Sequence, residues 1–240
     1  MVKKILVTGG AGYIGSHIIE ILIKKNKKVI IVDNLSTGYK KLIHKKAKFF
    51  KFNILETKQL NKLIIKNNID SIIHLAANLI IGEGEKKPNI YYKNNVLGTK
   101  SVLDAVKNTQ VKNLVFSSTA AIYKDGMYRV TENSPIRPKS VYGKTKLQAE
   151  NLIKHRCNKL KINFAILRYF NVVGASPSGN LGLINKSDHL FKNFSTQVLK
   201  KKPIFKIYGL NYDTPDGSCV RDFIHVSDIA EIHQKVLDKM

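Results

Sequence analysis

Cysteine is nearly absent: Cys157 and Cys219 are the two in 240 residues, far apart and without metal-ligand spacing. That excludes a disulfide framework and a zinc site, and it fits a reducing cytoplasm. Long apolar runs are missing as well. No stretch approaches the roughly 20 residues that a membrane-spanning helix requires. MVKKILVTGG passes from a short apolar run straight into glycines, without the h-region and cleavage site of a signal peptide. A soluble, cytoplasmic protein with no membrane partner is the expectation. Acidic residues are also few, 17 against 41 Lys and Arg, for a formal net charge of +24. Such a balance raises nucleic acid as a partner. The lysines, however, are spread along the chain with no aromatic stacking platform between them, as at Lys24–Lys28, Lys40–Lys46 and Lys200–Lys202. Solvated faces account for them, and a basic nucleic-acid binder is the weakest reading.

What the chain does have is alternation. Short β-branched runs at 4–8, 28–33, 48–52, 71–76, 114–118 and 164–170 alternate with helical patterns near 13–26, 56–67, 89–108 and 141–160. Several of the strands are apolar on successive residues, as buried parallel strands are. The order predicts an α/β fold, a doubly wound parallel sheet of Rossmann-like type. Past Asn171 the pattern loosens into GASPSGNLG, followed by a helical segment near 188–202, a strand at 204–208, a loop with TPDG and a last helix from Val226. Residues 1–171 are thus expected to form a dinucleotide-binding domain. Residues 172–240 are expected to form a small, incomplete substrate region whose final helix packs back on the first domain. No repeat or low-complexity segment interrupts the chain.

TGGAGYIG follows the first strand and opens the first helix, with Gly9, Gly12 and Gly15 spaced G-x-x-G-x-x-G. Glycines there bend the turn and let backbone amides reach a pyrophosphate at the helix N-terminus. The second strand ends in Asp33, whose carboxylate can accept from adenosine ribose hydroxyls and would repel a 2′-phosphate, so NAD is preferred to NADP. SVYGKTK puts Tyr142 and Lys146 at i, i+4 on a predicted helix. By itself that pair is either an exposed face or a base beside its tuning ammonium group.

TGGAGYIGSH, VDNLSTG, HLAA, YYKNNVLGT, FSSTAAIY, YGKTK, LRYFN and TPDGSCVRDFIHVSDIA occur in one order. Together they resemble the extended short-chain dehydrogenase/reductase superfamily and, within it, the UDP-glucose 4-epimerases, over the whole of 1–240. The resemblance implies an NAD-dependent isomerase that interconverts UDP-galactose and UDP-glucose through a 4-keto intermediate. It makes Tyr142, Lys146 and Thr119 the catalytic groups. A tyrosine near pKa 10 is a poor base, but a nearby ammonium group favours its phenolate. For the cofactor the resemblance implies Tyr13 and Ile14 at the diphosphate turn, and Asn34, Leu35, Ser36 and Thr37 beside Asp33. Asn53 and Ile54 fall near the adenine, Leu75, Ala76 and Ala77 under the cofactor, and Asn94, Tyr169 and Phe170 at further contacts. For the UDP-sugar it implies Asn171, His189, Leu190, Tyr208 and Arg221, with Arg221 at the diphosphate.

Dehydratases of the superfamily carry Asp-Glu after the threonine, whereas this chain has Ala120 and Ala121, so elimination of water lacks its acid and base. Decarboxylases, which place a Glu nearby, fit poorly too. Asn53 replaces a common Asp but can still accept at its amide oxygen; Val172 and Lys192 replace prolines. His74 is either a satisfied strand-end histidine or a direct participant, while Tyr91 and Tyr92 pack a helix. A homodimer through the helices at 89–108 and 141–160 is implied. Family members usually continue beyond the helix ending AEIHQKVLDKM. The alternative expectation is therefore a truncated, inactive remnant that retains NAD.

Overall fold

Ile5 and Val7 face one helix layer and Leu6 the other, and all three are fully buried. That alternation, repeated from strand to strand, builds the molecule from two cores on either side of one sheet. The computed structural model describes residues 3–126, 129–184, 189–207 and 209–240. Its main sheet has parallel strands in the order β3-β2-β1-β4-β5-β6. These are β1 Lys4–Thr8, β2 Lys28–Asp33, β3 Lys48–Lys51, β4 Ser71–His74, β5 Asn113–Thr119 and β6 Asn163–Tyr169. The order reverses between β1 and β4, which pair in register Thr8↔His74, and a ligand crevice belongs at that switch point. The predicted doubly wound sheet is what forms.

Helices α2 (Thr57–Asn67), α5 (Gly98–Ala105) and α6 (Val141–Leu160) cover one face. Leu60, Ile64, Val102, Ala149 and Ile153 pack there on Leu6, Ile72, Leu114 and Phe116. Helices α1 (Tyr13–Lys24) and α8 (Val226–Lys239) cover the other, with Ile18, Ile19, Leu22, Ala230 and Leu237 against Ile5, Val7, Ile73 and Val115. Helix α6 begins at Ser140, whose hydroxyl accepts from Gly143 N at 3.0 Å, a side-chain N-cap.

Four expectations need correction. The helix read at 89–108 runs as α4 (Pro88–Tyr91), a π-helical turn at Tyr92–Leu97 and α5, because polar contacts to the loop below hold the wider turn. A short helix, α3 (Ile81–Lys86), precedes it unpredicted. Residues 171–173, read as loop, form β7 (Asn171–Val173), which pairs in parallel with β8 (Phe223–His225). Residues 204–207 form no strand: Ile204, Phe205 and Ile207 are exposed, with no neighbouring strand to pair. Position 208 of that expected strand, and 188 of the expected helix, lie outside the described residues; the helix itself is α7, Leu190–Val198.

Candidate active site

The glycine turn after β1 is shaped by two different demands. Gly9 has φ +75°, and a Cβ there would stand 2.7 Å from Ala76 N across the switch point; a Cβ on Gly15 would meet Gly9 O at 2.6 Å. Those two are glycines for the protein's own packing. Gly12, the N-cap of α1, has φ −85°, and its Cβ would meet just Gly9 O, at 3.3 Å. The fold presses on that position less than on Gly9 or Gly15, and no side chain caps the helix. The smooth floor and free first-turn amides fit a diphosphate laid across them. Tyr13 and Ile14 open the helix beside it, and the Tyr13 hydroxyl donates to Gly174 O at 2.7 Å.

Asp33 closes β2, with Oδ2 accepting from Ala11 N at 3.0 Å and Oδ1 from Leu35 N at 2.8 Å. Burial pushes its carboxyl up, and those two amides pull it back. Leu35 is held at φ +61°, a strained backbone for a side chain with a Cβ and a common mark of a ligand-shaped turn. Asn34 accepts from Ser36 N at 2.9 Å, and Ser36 and Thr37 stand exposed. Asn53 Oδ1 accepts from Leu55 N at 3.0 Å, so it serves as a turn residue here, next to buried Ile54.

Under the crevice, Leu75, Ala76 and Ala77 leave β4 half-buried. The π-helical turn fixes them from the side. Asn94 Nδ2 donates to Asn78 Oδ1 at 2.9 Å; Asn95 accepts from Asn78 N at 2.8 Å and donates to Asn78 O at 3.0 Å. Inserted π turns are frequent at functional sites. His74 is fully engaged. Thr99 donates to Asn95 O at 2.7 Å and therefore accepts from His74 Nε2–H at 3.0 Å, which leaves Nδ1 to accept from Thr8 at 2.7 Å. Burial, with Lys146 nearby, pushes His74 down to about 3. It is a neutral structural histidine that braces β1, β4 and α5.

Thr119 ends β5, and its hydroxyl oxygen accepts from Ala121 N at 3.1 Å, leaving its proton to donate. Tyr142 and Lys146 lie on the first turns of α6, with the Tyr142 phenol beside Thr119. Burial pushes the Tyr142 phenol up to about 12 and the nearby Thr119 hydroxyl pulls against it. The expected lowering by an ammonium neighbour does not prevail, because Lys146 is itself desolvated. It is 2% exposed, with Nζ 4.1 Å from the Phe116 ring centre, and burial takes it down to about 7 while Glu150 holds it up. Tyr169, at the end of β6 opposite Thr119, bonds Ser117; burial raises it and Tyr142 adds to the effect. Phe170 is exposed, and Asn171 Nδ2 donates to Asp222 O at 2.9 Å.

The substrate-side residues are not gathered in the same way. His189 and Leu190 start α7, and Arg221 is exposed with Nη1 donating to Val220 O at 2.9 Å. Among the described residues no hydrogen bond ties them to the Tyr142 cluster, and Tyr208 lies outside the described residues. Sequence reasoning missed Gly143, Asn95 and Glu150. A Cβ on Gly143 would stand 2.5 Å from Ala121 O, so the glycine inside YGKTK lets α6 sit against the turn that follows Thr119. It was legible as a glycine inside a helix, where a close contact is the usual reason. The roles of Asn95 and Glu150 depend on partners far away in sequence.

The NAD dependent epimerase/dehydratase family matches residues 5–240. A UDP-glucose 4-epimerase of Lactobacillus helveticus is 40% identical over 241 residues, 99% of this chain and 72% of that one. The crystal structure of UDP-glucose 4-epimerase from Brucella ovis in complex with NAD superposes with a TM-score of 0.93 at 35% identity, covering 99% of this chain and 74% of that one. The Bifidobacterium longum enzyme in complex with NAD+ and UDP gives 0.90 at 33%, covering 99% and 75%. The match runs along nearly the full chain, and the chain belongs to the NAD dependent epimerase/dehydratase family.

Proposed function

We propose that the chain is a UDP-glucose 4-epimerase, interconverting UDP-galactose and UDP-glucose with NAD as its cofactor. The observation that carries this reading is the site itself: the Tyr142 phenol stands beside Thr119 at the end of β5, Lys146 lies one turn on, and Ala120 and Ala121 follow the threonine. Such a site can move one proton but holds no second acid–base pair there for elimination. Bound NAD supplies a hydride acceptor and donor at the sugar C4, which passes through a ketone. The chain handles the proton on the 4-oxygen. Tyr142, as its phenolate, takes the proton from the 4-hydroxyl as the ketone forms and gives it back to the ketone oxygen as the hydride returns. Thr119 orients that oxygen, and the Lys146 charge favours the phenolate when the proton leaves. Residues 1–171 hold the cofactor in this reading, and 172–240, with Asn171, His189, Leu190, Tyr208 and Arg221, face the sugar nucleotide. Exposed Ile90, Tyr92 and Leu97 along α4 to α5 support a homodimer through that face and α6. Two free cysteines support a cytoplasmic setting.

A second reading, NAD binding without turnover, draws on the substrate side. Helix α7 buries no residue, and Leu199 and Val220 are 88% and 73% exposed. Conversion of UDP-galactose to UDP-glucose by the purified chain separates the two. Under the first, turnover appears and Tyr142→Phe lowers kcat about 100-fold or more. A melting temperature that rises with NAD while no product forms selects the second.

A further inference from the structure

Glu150 is 0% exposed, and the family reading gives it nothing to do. Its Oε1 accepts from Ser118 and from Arg168 Nε at 3.0 Å, and its Oε2 accepts from Arg168 Nη2 at 2.6 Å. Arg168 passes Nη1 on to the Tyr123 hydroxyl at 3.1 Å. These partners are not scattered. Ser118 and Arg168 are register partners on β5 and β6, each one residue before Thr119 and Tyr169. The carboxylate therefore clamps α6 to the two strand ends that present the reacting groups, one helical turn beyond Lys146. A buried carboxylate is costly unless it is paired and hydrogen-bonded, and this one is held by both kinds of contact.

We propose that Glu150 is a positioning residue for the reaction: its clamped carboxylate fixes the Tyr142–Lys146 turn over the sheet and is the countercharge that keeps the Lys146 ammonium protonated. The inference rests on the proposed epimerase reading for its activity readout only. Other titratable or charged groups around this face of α6 are His74 from β4, Arg168 and Tyr169 from β6, Tyr91 from α4, and Tyr142 itself. His74 is neutral, its value held far down by burial, and the tyrosines are phenols pushed up by burial. Arg168 is a cation that would press Lys146 toward deprotonation if Glu150 were absent. Glu83 and Glu85 from α3 are the other carboxylates near this helix, held by the Tyr91 hydroxyl and by Val141 N, and of the three it is Glu150 that acts on Lys146. The direction agrees with the opposing effects on Lys146, where burial lowers its affinity for a proton and Glu150 raises it.

The test compares parent, Glu150→Gln and the double variant Glu150→Gln/Arg168→Met, which removes both partners of the ion pair so that no lone buried charge prevents folding. Lys146 is titrated by NMR with 13Cε-labelled lysine, its signal assigned by loss in Lys146→Met, and kcat for UDP-galactose is followed against pH. In both variants the Lys146 midpoint should fall by about one unit or more, and the alkaline limb of kcat should move with it. An unchanged midpoint in folded Glu150→Gln overturns the proposal. So does a shift that disappears in the double variant, since Arg168's uncovered charge would then be the cause. Absence of turnover in the parent would count against the epimerase reading alone, because the NMR midpoints still decide the role of Glu150.

Discussion

At Gly143 one methyl group separates a working geometry from a displaced one. The Cβ of an alanine would need the space 2.5 Å from Ala121 O and 3.0 Å from Pro138 Cβ, so α6 has to lift from the turn after Thr119. Overpacking of this kind costs about 1–3 kcal/mol, but the effect on the reaction is larger, because Tyr142 rides on the part that moves. Gly143→Ala should lower kcat by roughly 10- to 100-fold while the rise in melting temperature on adding NAD persists; equal losses in both would place the glycine's role in folding alone. At this scale the sequence revealed identities and left environments hidden. Tyr142, Lys146 and Thr119 are readable from YGKTK and FSSTAAIY, and the structure puts them together. That Lys146 lies over Phe116, or that Asn53 spends its amide oxygen on Leu55 N, depends on burial and turn geometry, which residue types do not encode.

Among the elements, the stretch from Pro88 to Ala105 shows most clearly what periodicity misses. Its polar and apolar residues repeat as in a continuous helix, yet Tyr92–Leu97 is wound as a π turn. The wider turn aims Asn94 and Asn95 at Asn78, and Asn95 also donates to Thr145 Oγ1 at 3.0 Å, so one side chain joins the cofactor floor to α6. Asn95→Ala leaves the half-buried Asn78 backbone groups without their Asn95 partners. It should cost about 2–4 kcal/mol of unfolding free energy in denaturant and weaken NAD binding several-fold by calorimetry. Unchanged NAD affinity would mean that the floor holds without the turn. Strands β1, β2, β4 and β5 were legible because they are buried and largely apolar, and the edge strands β3 and β6 because their half-buried apolar centres fall in the same alternation with helices; β7 and β8 were not, since three residues with no alternation carry little pattern.

Over the whole molecule, buried histidines shape the response to acid: burial lowers His17 too, and His74 and His233 furthest. Burial pushes His74 down to about 3 and His233 down to about 4, and among the described residues His233 Nε2 has no hydrogen-bond partner. Above pH 6.5 both are neutral, folded or unfolded, and cost nothing. As pH falls below that value the unfolded chain takes up protons that the folded one refuses, so stability falls with pH by up to about 1.4 kcal/mol per unit for each histidine, until the folded values are reached. Urea unfolding between pH 6.5 and 5 should show this slope, and His233→Leu should reduce it; an unaltered slope would show that other groups govern acid sensitivity. The doubly wound architecture was legible at this scale from the alternation of strands and helices alone. The position of α8 against α1 was less so, because it is separated from its partner by most of the chain. Strands β7 and β8 pair Asn171 with Phe223, so everything from 174 to 222 leaves and re-enters the frame at one place. Such a stretch resembles an insert between adjacent anchor points: doubling its length costs only about 0.6 kcal/mol in closure entropy. Evolution can recut that insert, and whatever it presents to a ligand, while the sheet that seats the dinucleotide stays closed.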